Sequence, residues 1–207
     1  MATAQTGVIE IARIDSESIR VPIVGTSPLI MHRFPEKAKK QMLDAQQGRK
    51  SPKVVRDPEA DYQASFHRLK DGGYGIPAAA FKKATVGGAR FYSAITMTAL
   101  RQFLFFRGEV GADGQMLNPV VGEPHMREDF VRINNGRGTD LRYRPEFPEW
   151  STTLEVVYVT SALTRDSVLS LIDAGGLGVG VLEWRPEKGG EFGTYRIDPT
   201  REVEVLP

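Results

Sequence analysis

The sequence predicts an α+β domain: an antiparallel sheet with two helices on one face, in the order strand, helix, strand, strand, helix, strand. Three observations carry this. Ile19, Val21 and Ile23 alternate with Arg20 and Pro22, and Leu154-Glu-Val-Val-Tyr-Val159 is a second strand pattern. Thr164 stands as an N-cap before Val168, Leu169, Leu171 and Ile172, which form one helical stripe. Behind Pro77, the residues Phe81, Ala84, Thr85 and Gly88 form another.

Taken in order, the chain opens with a short apolar run at Val8, Ile9 and Ile11, then a turn at Asp15-Ser-Glu-Ser18. After the first long strand, Thr26-Ser-Pro-Leu-Ile-Met-His-Arg-Phe34 breaks the alternation, and a helix is predicted over 36–47 with Ala38, Met42 and Ala45 on one side. Residues 48–58 have no apolar period and are expected as a loop. Asp57 caps and Pro58 opens a further helix, running to about Leu69. Asp71-Gly-Gly-Tyr-Gly75 is a turn. Gly87 and Gly88 each weaken their helix by roughly 1 kcal/mol relative to alanine, so close packing is the expected reason for them. Leu100 to Phe106 is expected as a buried strand. Residues 108–148 are rich in turn formers, with short strands at Met116 to Val121 and Phe130 to Ile133, and are expected as an insertion rather than core. Gly175 is expected to end the second helix, and strands at 194–197 and 202–205 close the sheet.

The long elements are therefore strands at 19–24, 100–106, 153–159 and 193–197, with helices at 77–86 and 164–174. This βαββαβ order is a modified ferredoxin-like, RRM-like arrangement in a single domain over 1–207. A basic helical insertion (25–76) and a loop-rich one (107–149) decorate it.

Composition excludes several classes. A chain of 207 residues can bury a core, and no apolar run approaches the roughly 20 residues of a membrane helix. There is no cysteine, and Met1-Ala-Thr-Ala-Gln5 lacks the basic start and apolar centre of a secretory signal, so a cytoplasmic protein without disulfides is expected. His32, His67 and His125 are not at metal-ligand spacing, and no acidic cluster suggests a two-metal site. Gly176-x-Gly178-x-Gly180 follows a helix rather than a strand and lacks a Lys-Ser/Thr ending, so it is neither a P-loop nor a dinucleotide fingerprint. No cofactor, metal or membrane partner is expected.

The net charge is only +1, yet between Arg33 and Arg56 eight basic residues face only Glu36 and Asp44, a local net charge of +6. Such a block is either a solvated helix and linker or a phosphate-binding surface. The stretch from Ala174 to Gly193 is equally distinctive, with glycines at 175, 176, 178, 180, 189, 190 and 193 around Trp184, Arg185, Lys188 and Phe192. Glycines permit positive φ and close backbone approach, which suits a phosphate chain and suits equally a long turn packed on its own sheet.

The position of this loop, between the second helix and the last strand, resembles the signature of the RAMP superfamily of CRISPR systems. Gly176-x-Gly178-x-Gly180 followed by Gly190-x-x-Gly193 is similar to a loose form of that pattern, and the large insertion after the first strand resembles Cas7-like backbone subunits. The resemblance implies a RAMP/Cas7-like fold and RNA binding. Thr26-Ser-Pro-Leu-Ile-Met-His32, Leu141-Arg-Tyr-Arg-Pro-Glu146 and Val179 to Gly190 are further similar to bacteriophage proteins, in whose pattern a glycine stands at the position of Leu182. This implies a phage-encoded protein acting in the bacterial host cytoplasm.

A nucleic-acid site needs cations for phosphates and flat groups for bases. The candidates are Arg33, Lys37, Lys40, Arg49, Lys50 and Lys53 in the first insertion, Lys82 and Lys83 on the first core helix, Arg137, Arg142, Tyr143 and Arg144 in the second insertion, and Gly178, Gly180, Trp184, Arg185, Lys188 and Phe192 in the glycine loop. Trp184 and Phe192 are equally compatible with core packing, and Arg142 and Arg144 with pairing to Asp140 or Glu146. No recognition helix, zinc module or RNP-type aromatic motif is present, so the expected partner is a single strand held through loops and charge with weak sequence preference. The expected function is non-enzymatic binding of single-stranded nucleic acid, DNA before RNA, in phage replication or recombination, by a homo-oligomer or filament with CRISPR or recombination proteins as further partners. The alternatives are a Cas6-like metal-independent RNA endonuclease using His32 as general base, and an interaction protein that inhibits a CRISPR complex.

Overall fold

The computed structural model describes residues 11, 13–34, 36–49, 55–133 and 138–207, with side chains excepted at 36–38 and 133. The expected core is present. Strand β1 (Ser16–Gly25) pairs antiparallel with β9 (Ser151–Val159) on one side and with β10 (Tyr195–Ile197) on the other, while β4 (Leu104–Arg107) pairs antiparallel with β9. The four core strands thus run β10-β1-β9-β4, or fourth, first, third, second in core order. With helices α3 (Ala78–Gly88) and α5 (Arg165–Gly178) connecting them, this is a modified ferredoxin-like fold.

Alternation decides which face is buried. Ile19, Val21 and Ile23 on β1 and Leu154, Val156 and Tyr158 on β9 are buried with Leu104, Phe81, Val168 and Ile172 beneath the helices. Helices α3 and α5 cross backbone to backbone: a Cβ on Gly88 would lie 2.8 Å from the Gly175 nitrogen, and one on Gly175 only 2.5 Å from the Ala84 oxygen. The expected packing reason for Gly88 holds. Gly175 is explained by the same contact, and it does not end α5, which continues to Gly178.

The remaining elements are β2 (Leu29–Ile30), α1 (Glu36–Gln46), α2 (Pro58–Ala64), β3 (Gly75–Pro77), α4 (Met97–Phe103), β5 (Glu109–Val110), β6 (Met116–Val121), β7 (His125–Ile133), β8 (Gly138–Phe147) and β11 (Glu204–Leu206). Several boundaries differ from expectation for identifiable reasons. The apolar run 100–106 splits between the end of α4 and the start of β4, because Thr96 accepts a hydrogen bond from the Ala99 nitrogen (3.2 Å) and starts a helix that runs to Phe103. Asp15-Ser-Glu-Ser18 is not a turn beyond Asp15, since β9 pairs from Val159 opposite Ser16. Asp57 caps α2 as expected, accepting from Glu59 and Ala60, but the helix stops at Ala64 so that Phe66 and Leu69 can enter the core.

Helix α1 is exposed throughout its described side chains apart from the partly covered Asp44; Met42 (58% exposed) and Ala45 bury no stripe. Residues 138–147, expected as loop, form a long hairpin with β7, and β2 joins it in a three-stranded sheet of order β2-β8-β7. The second insertion is also not wholly peripheral: Leu117 is fully buried and β6 extends the main sheet through Val120 opposite Thr152. The run at Val8 and Ile9 lies outside the described residues, and Ile11 is 87% exposed. Among the described residues no helix is long and apolar enough to cross a membrane.

Candidate nucleic-acid interface

The glycine loop is held on its own fold. The Gly193 nitrogen donates to Pro28 O (2.8 Å), the Glu183 nitrogen to Ile30 O (3.2 Å), and the Val181 nitrogen to Gly193 O (2.9 Å). A Cβ on Gly190 would lie within 1.8 Å of the Trp184 oxygen, so this close approach is between two parts of the loop itself. Leu182 and Trp184 take φ of 61° and 49°. Leu182 stands where the resembling pattern carries glycine, and its backbone is indeed left-handed, at a conformational cost of about 1–2 kcal/mol.

A buried ionic network fastens the β7–β8 hairpin to this loop. Arg144 is 0% exposed and donates to Asp129 (2.5 Å) and Glu183 (3.3 Å). Arg127 donates to Asp129 (2.8 Å) and Glu146 (3.1 Å). Both guanidinium groups lie over the Trp184 ring, at 5.5 Å for Arg127 and 5.3 Å for Arg144, and Arg127 also covers Phe192 at 5.0 Å. Arg144 therefore serves the interior and offers no surface to a phosphate, a correction to its expected place on a loop. Gly178 and Gly180 also face protein: a Cβ on Gly178 would meet the Phe91 ring at 2.3 Å, and one on Gly180 would meet Pro186 at 2.9 Å.

Arg127, Asp129 and Glu183 escaped the sequence reading. Their signal was present: Arg127-x-Asp129 and Arg144-x-Glu146 place opposite charges on one face of each of two strands.

Two of the expected cations, Lys83 and Arg185, meet at Glu187. Glu187 accepts from Arg185 (2.8 Å) and lies 3.2 Å from the Lys83 ammonium, joining the loop to helix α3. The Arg185 hydrogen bond, seconded by Lys83 and opposed by desolvation, holds the Glu187 carboxyl below its ordinary range. Lys82 donates to Arg101 O (3.0 Å) and lies 5.2 Å from the Phe105 ring centroid. Lys188 is exposed on the short turn Pro186–Lys188. Lys83 and Arg185 against Glu187 leave this contact with a net charge of +1, and Lys82 and Lys188 are their near neighbours in the chain.

A second feature is a cleft of about 870 Å³ lined by His32, Phe34, Arg56, Asp57, Asp61, Asp140, Arg142 and Tyr143 together with smaller side chains. Arg56 bridges Asp61 (2.8 Å) and Asp140 (2.6 Å), so the two arginine-bearing insertions meet here. Burial lowers the His32 imidazole below its ordinary value; Glu183 opposes this, and Arg142 and Arg144 reinforce it. His32 is therefore neutral at neutral pH. The lining charges, Arg56 and Arg142 against Asp57, Asp61 and Asp140, sum to −1.

Arg33 points elsewhere, to Asp113 at 3.1 Å. Lys40 and Arg49 are exposed on and after α1. Lys50, Lys53, Arg137 and the side chain of Lys37 lie outside the described residues.

Fold and surface together define a ferredoxin-like α+β protein with a basic face beside its last loop. Solved structures with a similar chain path are a chain of the Type III-B Cmr-beta complex bound to cognate target RNA (8% identity, TM-score 0.48, 92% of this chain and 61% of that one) and Cmr6 from Pyrococcus furiosus (10%, 0.44, 90% and 100%). A chain of a CRISPR RNA-guided surveillance complex is a third (11%, 0.38, 92% and 68%). This protein thus spans 61% of the length of the Cmr-beta chain. No family model and no curated protein matches it.

Proposed function

We propose that this protein binds single-stranded nucleic acid along the face formed by Lys82, Lys83, Arg185 and Lys188, without turnover, several copies lining one strand. The observation that carries the reading is the Arg185–Glu187–Lys83 contact, which gathers cations about a hundred positions apart in sequence onto one surface with a single carboxylate among them. Phosphates are attracted by that excess charge, and the counterions they release make binding salt-dependent. The solved structures named above include RNA-bound and RNA-guided assemblies, and the glycine-loop pattern resembles the RAMP superfamily; the phage-like pattern favours a use in strand protection or annealing on DNA. A RAMP-like protein in that role would have recombination or CRISPR proteins as neighbours.

The test is fluorescence anisotropy with (dT)12 and (rU)12 over a salt series. Four phosphate contacts give a slope of log K against log salt of about −3 for a single strand. Lys83→Ala with Lys188→Ala should lower affinity and flatten the slope by about 1.4. Affinity that is unchanged by salt and by both substitutions excludes the reading.

One observation favours a second reading: His32 lines the cleft, and burial there favours the neutral form that a general base requires. Cleavage of labelled RNA in EDTA that disappears in His32→Ala would establish a ribonuclease, and intact RNA would exclude one.

A further inference from the structure

We propose that the His32 cleft receives one unstacked base of the bound strand, laid against the Tyr143 ring and the guanidinium plane of Arg56. This rests on the strand-binding reading and gives it a second subsite, chemically distinct from the basic face.

Charge separates the two. The cleft lining sums to −1, with Arg56 and Arg142 already matched by Asp61 and Asp140, so it repels a phosphate and tolerates a neutral group. Its volume of about 870 Å³ accommodates a nucleoside. The Arg56 guanidinium and the Tyr143 main chain are held in place before a ligand arrives. Arg56 is clamped between Asp61 and Asp140, which fixes its plane, and the Tyr143 backbone oxygen accepts from the Ser65 hydroxyl at 3.3 Å, tying β8 to the end of α2. Bases stack on aromatic rings and on arginine planes, and prior ordering reduces the entropy lost on binding. The rim offers both kinds of polar partner to a base edge: carboxylates that accept and the neutral His32 imidazole.

Position connects the subsites. The Glu183 nitrogen donates to Ile30 O (3.2 Å), two residues before His32, and Glu183 precedes Arg185 by two residues, a span of at most about 7 Å of chain. A strand whose phosphates follow the basic face is thereby within reach of the cleft with one base.

The test compares (dT)12 with a twelve-unit abasic deoxyribose-phosphate strand of the same charge. Wild-type protein should prefer (dT)12 by about tenfold, the worth of one stacked base. Tyr143→Leu should erase that preference and leave the abasic affinity unchanged. Ala60→Trp, which fills the cleft from an exposed helix position, should do the same and guards against misfolding of the first variant. Equal affinity of the wild type for both strands, or a preference that survives both substitutions, overturns the base cleft while leaving the basic face standing. Failure of both strands to bind overturns the base cleft and the basic face together.

Discussion

Lys83 and Glu187 lie 3.2 Å apart and join the first core helix to the glycine loop, so a carboxylate sits between two cations, Lys83 and Arg185, of the proposed binding face. The Lys83 side chain is 59% exposed, and an ion pair this open contributes less than about 1 kcal/mol to stability. Lys83→Ala should therefore leave the urea midpoint nearly unchanged while weakening strand binding. Glu187→Gln removes the carboxylate that pairs with Lys83 and Arg185 and should tighten binding at low salt. Equal loss of stability and binding in Lys83→Ala would mark the pair as structural.

The helix crossing at Gly88 and Gly175 leaves no room for a methyl group. Gly175→Ala would place Cβ 2.5 Å from the Ala84 oxygen, and overpacking of this kind costs about 1–3 kcal/mol or more. Gly189→Ala meets no atom within 4 Å and incurs only its left-handed φ of 76°, about 1 kcal/mol. Urea unfolding of the two variants should rank Gly175→Ala as the less stable.

Arg144 and Asp129 form a buried pair, 0% and 4% exposed at the side chain. Arg144→Met leaves Asp129 without its most buried partner and should cost about 3–5 kcal/mol. Combining it with Asp129→Asn should cost less than the sum of the single changes by more than about 0.5 kcal/mol, read from a double-mutant cycle.

His67 gives the fold an acid sensitivity. Burial lowers its imidazole from 6.5 to about 4, with Asp113 opposing and Arg33 and His32 reinforcing the shift. Between those values the unfolded chain binds the extra proton, so stability is complete above pH 6.5 and falls as the pH drops toward 4, by about 3 kcal/mol in all. His32, lowered in the same direction, adds to the effect. His67→Gln should flatten the dependence of the urea midpoint on pH between 7 and 4.

The parts of the fold with strict periodicity were legible. Ile19, Val21 and Ile23 at period two and the Thr164-capped stripe of α5 depend on local geometry, which neighbouring residues carry by themselves. The run at 100–106 was legible only in part, because helix and strand both bury a short apolar segment and the choice fell to the Thr96 cap for 100–103 and to pairing with β9 for 104–106. The candidate site was legible as composition, since Lys82, Lys83, Arg185 and Lys188 stand out by charge. Whether Arg144 faces water or the interior was not, because that depends on Asp129 and Glu183, distant in sequence.

By itself the sequence determined the βαββαβ order, the close helix crossing through Gly88 and the caps at Asp57 and Thr164, each a consequence of steric and hydrogen-bonding rules acting over a few residues. Only the tertiary structure decided which cations are spent inside and which remain outside. Arg144 and Lys83 carry the same charge in the chain, and folding separates a structural arginine, fully buried against Asp129 and Glu183, from a surface lysine, 59% exposed beside Glu187, because desolvation makes a charge depend on its neighbours in space.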